Sequence, residues 1–459
     1  LCDVKGQADS KDQEENSNID PYCIGHQKKE KCREEKKENI QVEENHQSDE
    51  LTLEYLLCCI VHYQYFRCGD KSTSPFSINT WGGMDALEEV LRKKGAAAFV
   101  AYGSSADADI RYLTRFRVTD PIVYIKKPEE QGIIIVSTME YERAGRESIA
   151  RVVSRNEAGY FEFLKEDPGN RDRATARMIA SLVRGDILTP PQFPLALARE
   201  LEALTTLAVE KEAMVSLRAV KTPAEMGYLR EVQRATEEAM KIALQLINKS
   251  RVKGDVLMQG KTPLTSERVK ASIQKCLIDY GCIARDTIVS CGRDTALPHL
   301  TGSGPLQPDE PIVIDIFPQN EESGYFADMT RTVLKGEPPD EIVEMYQAVE
   351  EAQARAVSRI RNGVSGADLQ QDIVDFFQQR GYESNSQGFV HNLGHGVGLE
   401  VHETPVLGKG GGILEKGHVV TVEPGLYYRE YGGVRLEDMG AVVGNGFDRF
   451  TRFEEKLIL

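Results

Sequence analysis

The chain is predicted to fold as an α/β domain followed by an α+β domain with largely antiparallel strands. Three observations carry this. From Met84 short apolar runs alternate with helical patterns. The segment Lys221-Thr222-Pro223-Ala224-Glu225 has the chemistry of a helix start. Beyond it, two long helical patterns stand among separate strand-like runs. The expected division is a leader over 1–83, a first domain over 84–217 and a second over 218–459.

In the first domain, Met84 to Lys94 has helical spacing and Ala97 to Tyr102 is a short apolar run. Ile122 to Ile125 and Gly132 to Val136 read as strands, and helices are expected over Met139 to Glu147 and Arg171 to Val183. The segment Asp109 to Phe116 lies between strands and offers no chemistry of its own. This domain is expected to act as a support or a lid. At the boundary Thr222 can cap a helix, Pro223 suits its first turn and Glu225 stands at the reciprocal capping position. A helix should run from there to about Ile247. Further helices are expected over Pro339 to Arg361 and Ala367 to Arg380, with strands over Ile312 to Phe317, Phe326 to Leu334, Val419 to Glu423 and Gly433 to Val443.

Before Met84 the sequence has a different character. From Asp9 to Glu50 it is rich in Glu, Lys, Gln and Asn without periodicity, a composition that cannot bury enough apolar surface to offset ordering. It is expected to be disordered, either as a fragment or an over-extended reading frame whose real start is Met84, or as a regulatory or targeting tail. The only tryptophan, Trp81, lies in this leader. Leu51 to Phe66 is too short to cross a bilayer, contains Glu54 and lacks the basic flank of a signal peptide. No membrane association is expected.

The 459 residues carry a net charge of -16, which argues against nucleic-acid binding. A small or peptide substrate fits better. Of nine cysteines only Cys276, Cys282 and Cys291 follow Met84. Three thiols do not make a disulfide framework, and a cytoplasmic location is expected.

Chemistry concentrates in the second domain. Asp315 sits in the apolar run Pro311-Ile-Val-Ile-Asp-Ile-Phe317, and Asp328 opens the next strand in Phe326-Ala-Asp-Met-Thr-Arg-Thr332. A carboxylate in such a run is costly unless paired or bound to a cation. His395 lies between Gly394 and Gly396 in His391-Asn-Leu-Gly-His395-Gly-Val-Gly-Leu-Glu-Val-His402, where glycines allow close backbone approach. Glu423 follows Thr421-Val422, and Glu437 lies in Gly433-Val-Arg435-Leu-Glu437. Each Asp alone reads as a turn residue, and a lone buried His as a hydrogen-bonded core residue. Arg435 and Glu437 can form a same-face pair on one strand, orienting a metal ligand, or a plain ion pair.

Together, one imidazole and four carboxylates suffice for two divalent ions a few ångströms apart. Such a site is hard and suits Mn²⁺ or Co²⁺ first, with Zn²⁺ or Fe²⁺ next. Two ions can activate a water and clamp the oxygen that forms at a carbonyl. Of the five histidines after Met84, four (His299, His391, His395, His402) fall in candidate motifs, and His418 reads as structural. Gly408-Lys-Gly-Gly-Gly412 lacks phosphate-binding spacing and reads as a flexible loop near the site.

These residues closely resemble the pita-bread metallopeptidases, and within them the Xaa-Pro aminopeptidase and prolidase group. The resemblance covers Met84 to Leu459 and is most specific over His299 to Gly440. Asp109-Ile-Arg-Tyr-Leu-Thr and Met139-Glu-Tyr-Glu-Arg-Ala look like a creatinase-type amino-terminal domain. It implies that Asp315 binds one metal, that Asp328 and Glu437 bridge both, and that His395 completes one ion and Glu423 the other. A metal-bridging hydroxide would attack the Xaa-Pro carbonyl while Glu423 shuttles the proton. His402 would steady the tetrahedral intermediate, His299 would join His402 and Glu423 in the catalytic set, and His299, His391 and Arg435 would bind substrate, with Arg435 also orienting Glu437. A homodimer is implied as well.

Two departures bear on specificity. The thirteen-residue spacing from Asp315 to Asp328 is longer than that family commonly has. The segment Glu403 to Val422 lacks the Arg with which prolidases hold a dipeptide's carboxylate. The expectation is therefore an aminopeptidase acting on peptides with proline second. The alternatives are a prolidase restricted to dipeptides and a non-catalytic binding protein on the same fold.

Overall fold

The computed structural model describes residues 83–459. The expectations for the leader, for Leu51 to Phe66, for Trp81 and for the six earlier cysteines lie outside the described residues.

The amino-terminal part contains helices α1 (Gly83–Lys94), α2 (Ala108–Thr114), α3 (Thr138–Glu147), α4 (Tyr160–Glu166), α5 (Arg171–Leu182), α6 (Leu195–Glu202) and α7 (Ala213–Ala219). Its strands β1 (Ala98–Gly103), β2 (Ile122–Lys126), β3 (Ile133–Val136), β4 (Arg151–Ser154), β5 (Ile187–Thr189) and β6 (Leu207–Val209) form one sheet in the order β4-β3-β2-β1-β5-β6. The sheet is mixed: β1, β2 and β3 pair antiparallel, and the outer pairs are parallel. Side chains along β1 alternate between two cores. Phe99 and Ala101 pack with Leu87 and Leu91 of α1 and Met214 of α7, whereas Ala98 and Val100 pack with Ile179 of α5 and Leu197 of α6. An apolar run buried on both faces is what Ala97 to Tyr102 had to be.

The segment Asp109 to Phe116 lies between β1 and β2, as expected. Most of it folds as α2, capped by Asp107, whose side chain accepts from Asp109 N and Ile110 N at 2.9 and 3.0 Å. Asp109 is buried, and it pairs with Arg218 at 2.8 Å and accepts from Gln192 at 2.7 Å. Its polarity therefore ties α2 to the end of α7.

Helix α8 (Pro223–Lys249) begins with the expected reciprocal cap. Glu225 N donates to Thr222 Oγ1 at 3.3 Å, and Thr222 N donates to Glu225 at 2.7 Å. Then come the hairpin strands β7 (Arg251–Lys253), β8 (Val256–Gln259) and β9 (Thr262–Pro263), helix α9 (Ser266–Asp279), and strands β10 (Cys282–Ile283), β11 (Ile288–Cys291), β12 (Ile312–Ile316), β13 (Gln319–Asn320) and β14 (Met329–Val333). Helices α10 (Asp340–Arg359) and α11 (Gly366–Gln379) lead to β15 (Gly394–Gly396), β16 (Glu403–Leu407), β17 (Val419–Val422), β18 (Gly425–Tyr428), β19 (Gly432–Arg435), β20 (Asp438–Val443) and β21 (Gly446–Arg449).

Two antiparallel sheets dominate, β11-β12-β14 and β16-β15-β17-β20-β21, beside the hairpin β18-β19. On β12, Ile312, Ile314 and Ile316 join the core formed with α8 and α9, so alternation turns Asp315 to the other face. On β14, Met329 and Val333 join the same core, leaving Asp328, Thr330 and Thr332 on Asp315's side. The register sets Asp315 opposite Thr330. On β17, Val420 and Val422 pack with α10 and α11, and Val419 packs with the first core.

Two expectations are corrected. The strand expected over Gly433 to Val443 is two strands, β19 and β20, interrupted at Leu436 and Glu437. The break lets Glu437 N bond to Thr330 O at 3.1 Å instead of continuing a ladder. Gly408 to Gly412 is a hydrogen-bonded turn rather than a free loop: Gly411 N donates to Gly408 O, and Gly366 N at the start of α11 donates to Gly412 O, both at 2.8 Å. Among the described residues no helix is long and apolar enough to cross a membrane.

Candidate metal centre

Five elements converge on one polar cluster. Asp315 comes from β12, Asp328 immediately precedes β14, His395 is the centre of β15, Glu423 follows β17, and Glu437 lies between β19 and β20. Close approach of β15 to β17 requires glycine, since a Cβ on Gly394 would lie 2.1 Å from Thr421 O. With that clearance, His395 N donates to Thr421 Oγ1 at 3.0 Å.

The His395 ring has an assignable orientation. Its Nδ1 is 3.1 Å from Gly396 O, a group that only accepts, so Nδ1 carries a proton. Nε2 points at Glu423 Oε1 at 3.2 Å and Asp328 Oδ2 at 3.7 Å. Burial opposes charge on this ring, but the Glu423 hydrogen bond and charge outweigh it and raise the His395 pKa. Burial also works against ionised Glu423, yet His395 pulls its pKa down to about 2.

Asp328 and Glu437 go the other way. Burial, and then the neighbouring carboxylates, push both well above the ordinary range. Asp328 Oδ1 and Asp315 Oδ1 are buried without a hydrogen-bond donor. Asp328, His395 and Glu437 each offer an atom within 4.8 Å of one another. Crowded carboxylates, orphaned acceptors and an imidazole aiming Nε2 at two of those carboxylates are what a divalent cation would resolve. The residues fit the metal.

Arg435 does not pair with Glu437. Its Nη2 donates to Asp315 Oδ2 at 2.6 Å, its Nη1 to Tyr427 OH at 2.8 Å and to Pro298 O at 3.4 Å, and its Nε to Thr330 Oγ1 at 3.1 Å. The link to Glu437 runs through Thr330, whose hydroxyl donates to Glu437 Oε2 at 2.8 Å. The expectation that Arg435 binds substrate is therefore corrected: buried and with its donors committed inside the protein, it orients the cluster and has no free face for substrate.

His391 and Tyr427 form a second pair. His391 Nδ1 is 2.7 Å from Asn392 O, which only accepts, so Nε2 of the neutral ring accepts from Tyr427 OH at 2.9 Å. Burial lowers the His391 pKa and raises that of Tyr427 to about 12, so both stay neutral near pH 7. The His402 ring stands 4.1 Å from the His395 ring. Burial and then His395 keep its pKa low. His299 is exposed and near enough to His391 and His402 to disfavour their protonation.

Three residues escaped sequence reasoning. Thr330 bridges Arg435 and Glu437, and Tyr427 bridges Arg435 and His391. Arg331, almost fully buried, donates to Thr330 O at 2.9 Å, Glu437 O at 2.8 Å and Asp438 Oδ1 at 2.9 Å. The alternation Asp328-x-Thr330-x-Thr332 was the available signal for Thr330.

Comparison with known proteins agrees with this architecture. Residues 227–443 match the model of metallopeptidase family M24, and residues 84–222 match the creatinase/prolidase N-terminal domain. An Xaa-Pro dipeptidase of Lactobacillus delbrueckii subsp. lactis is 29% identical over 385 residues, covering 82% of this chain and 98% of that protein. An Xaa-Pro dipeptidase of Pyrococcus furiosus is 32% identical over 251 residues, covering 54% of this chain and 67% of its own length. The X-Pro aminopeptidase structure from Thermotoga maritima superposes with a TM-score of 0.67 at 25% identity, covering 81% of this chain and 99% of that one. An Xaa-Pro dipeptidase structure from Bacillus anthracis gives 0.69 at 24% identity, covering 82% and 99%. The expected creatinase-like domain followed by a pita-bread domain holds. A family-wide match over both halves, joined to a relative of 32% identity, leaves one assignment: the chain belongs to metallopeptidase family M24, among the members that carry a creatinase/prolidase amino-terminal domain.

Proposed function

We propose that this protein is a metal-dependent Xaa-Pro aminopeptidase, releasing the first residue from peptides with proline second. The carrying observation is the convergence of Asp315, Asp328, His395, Glu423 and Glu437, with buried carboxylate oxygens lacking donors. Two divalent ions, Mn²⁺ or Co²⁺ first, held by these five residues would supply Lewis acidity that makes water nucleophilic at neutral pH and steadies charge on the carbonyl oxygen. The domain division at 217/218, a homodimeric assembly and a cytoplasmic location belong to the same reading. Cys276, Cys282 and Cys291, all free, accord with the last.

The chain's own groups then have distinct tasks. Glu423 takes the proton of the attacking water and delivers it to the departing nitrogen. His402, held neutral by burial, donates a hydrogen bond to the oxygen that becomes negative. His391, fixed by Tyr427, and the exposed His299 border the substrate. Arg435 holds Asp315 and, through Thr330, Glu437.

The names of the two dipeptidase relatives support the Xaa-Pro bond as the target. Against a strict dipeptidase stand the absence of Arg between Glu403 and Val422 and the commitment of Arg435 inside the protein. A dipeptide's free carboxylate would lack a guanidinium partner. A substrate series of Ala-Pro, Ala-Pro-Ala and Ala-Pro-Ala-Ala decides this. Higher kcat/KM for the longer peptides is expected, and cleavage of Ala-Pro alone would make the protein a prolidase.

A further inference from the structure

The loop between β12 and β14 carries the short strand β13, and its tip is held by residues from outside the sheet β11-β12-β14. Asn320 Oδ1 accepts from Glu322 N at 3.1 Å and Ser323 N at 2.9 Å, which folds the tip into a tight turn. Three grips follow. Tyr325 OH donates to Glu225 at 2.6 Å, the same Glu that caps α8. Phe326 N donates to Gly398 O at 2.8 Å, between His395 and His402 in sequence. The third grip is Arg111 of α2, whose Nη2 donates to Glu322 O and whose Nη1 donates to Arg115 O at 3.0 Å.

Arg111 also touches the His-bearing segment at one remove. Gly324 has φ +82°, and a Cβ there would meet Arg111 Nε and Leu399 Cδ2, each at 3.2 Å. The Arg111 and Leu399 side chains therefore both lie over the Cα of Gly324, in the space a Cβ would take. Asp328 is four residues beyond Gly324, and Leu399 lies between His395 and His402. The neighbouring pair Arg117–Glu321, at 3.1 Å, is exposed on both sides and contributes little.

We propose that Arg111 is a positioning residue by which the amino-terminal domain seats the 317–327 loop against Gly398 and Leu399, and so sets Asp328 and His395 for metal binding. The proposal rests on the reading of those two residues as metal ligands. Supporting groups beyond the ligands themselves are typically worth about tenfold or more in metal affinity. Arg111→Met keeps the aliphatic stem beside Gly324 and removes the guanidinium. Arg111→Lys keeps a cationic donor, and Arg117→Ala is the control for general loss of charge.

The experiment is a calorimetric titration of the metal-stripped full chain with Mn²⁺ alone, paired with melting of each metal-free variant. The expected result is a Kd weaker by about tenfold for Arg111→Met, a smaller change for Arg111→Lys and less than about twofold for Arg117→Ala. An Arg111→Met variant that binds Mn²⁺ like wild type overturns the proposal. So does one that melts lower with an unchanged Kd, because Arg111 would then be a plain structural brace. A wild-type chain without Mn²⁺ binding would instead overturn the metal reading on which the proposal stands.

Discussion

Asp328→Asn should move stability and metal binding in opposite directions. The side chain keeps its shape and loses one negative charge. Asp328 Oδ1 has no donor and Oδ2 meets only His395 Nε2 at 3.7 Å, so little hydrogen bonding is lost. Asp328 and Glu437 offer oxygens within 4.8 Å of each other, where two like charges at an effective dielectric near 20 repel by roughly 3 kcal/mol. Partial protonation already relieves some of this, which leaves a gain of about 1 kcal/mol or more for the metal-free variant. That corresponds to a Tm increase of about 2 °C. With metal the sign reverses: wild type at a hundredfold excess of Mn²⁺ over Kd gains about 2.7 kcal/mol, and the variant loses most of that. Its turnover should fall on the order of a thousandfold. Calorimetric melting in chelator and in Mn²⁺ reads both effects. A variant that melts below wild type in chelator, or that keeps the full Mn²⁺ shift, would refute the electrostatic reasoning.

Other perturbations test separate parts of the account. Arg435→Met strands buried Asp315 and unseats Thr330, and should destabilise the metal-free chain by about 3 kcal/mol or more in denaturant titration. Burial, and then Lys221, lower the His418 pKa to about 4, while its Nδ1 accepts from Glu415 N. Neutral His418 therefore contributes stability fully above about pH 6.5, and this is lost as pH falls toward 4. His418→Gln should flatten that limb by about 2 kcal/mol in melts between pH 7 and pH 4, and an unchanged limb would contradict it. Thr222→Ala removes the cap on α8 and should cost about 1 kcal/mol without altering Mn²⁺ affinity.

The parts of the site legible in the sequence were those that break a local pattern. Asp315 interrupts Ile312, Ile314 and Ile316, which share one core, so its charge had to face elsewhere. His395 stood out through its glycines, and Gly394 does permit the close approach of β15 to β17. The helix cap at Thr222 and Glu225 could be read because all its atoms lie within one turn. What stayed hidden depends on distant partners. Arg435 was expected to act on its neighbour Glu437, yet it crosses to Asp315, because β19 breaks off before Glu437. Thr330 looked like an ordinary strand residue until Glu437 and Arg435, more than a hundred residues later, met at its hydroxyl. Asp109 and Arg218 carry no local signal of their pairing.

The most direct test of the central claim is a metal-reconstitution assay. The chain would be stripped with chelator, titrated with Mn²⁺ and assayed at each step for release of Ala from Ala-Pro-Ala, with bound metal counted by elemental analysis. The account predicts no release from the stripped protein, two ions bound per chain at saturation, and activity that follows their binding. Full activity in chelator, or saturating metal without release of Ala, would contradict it.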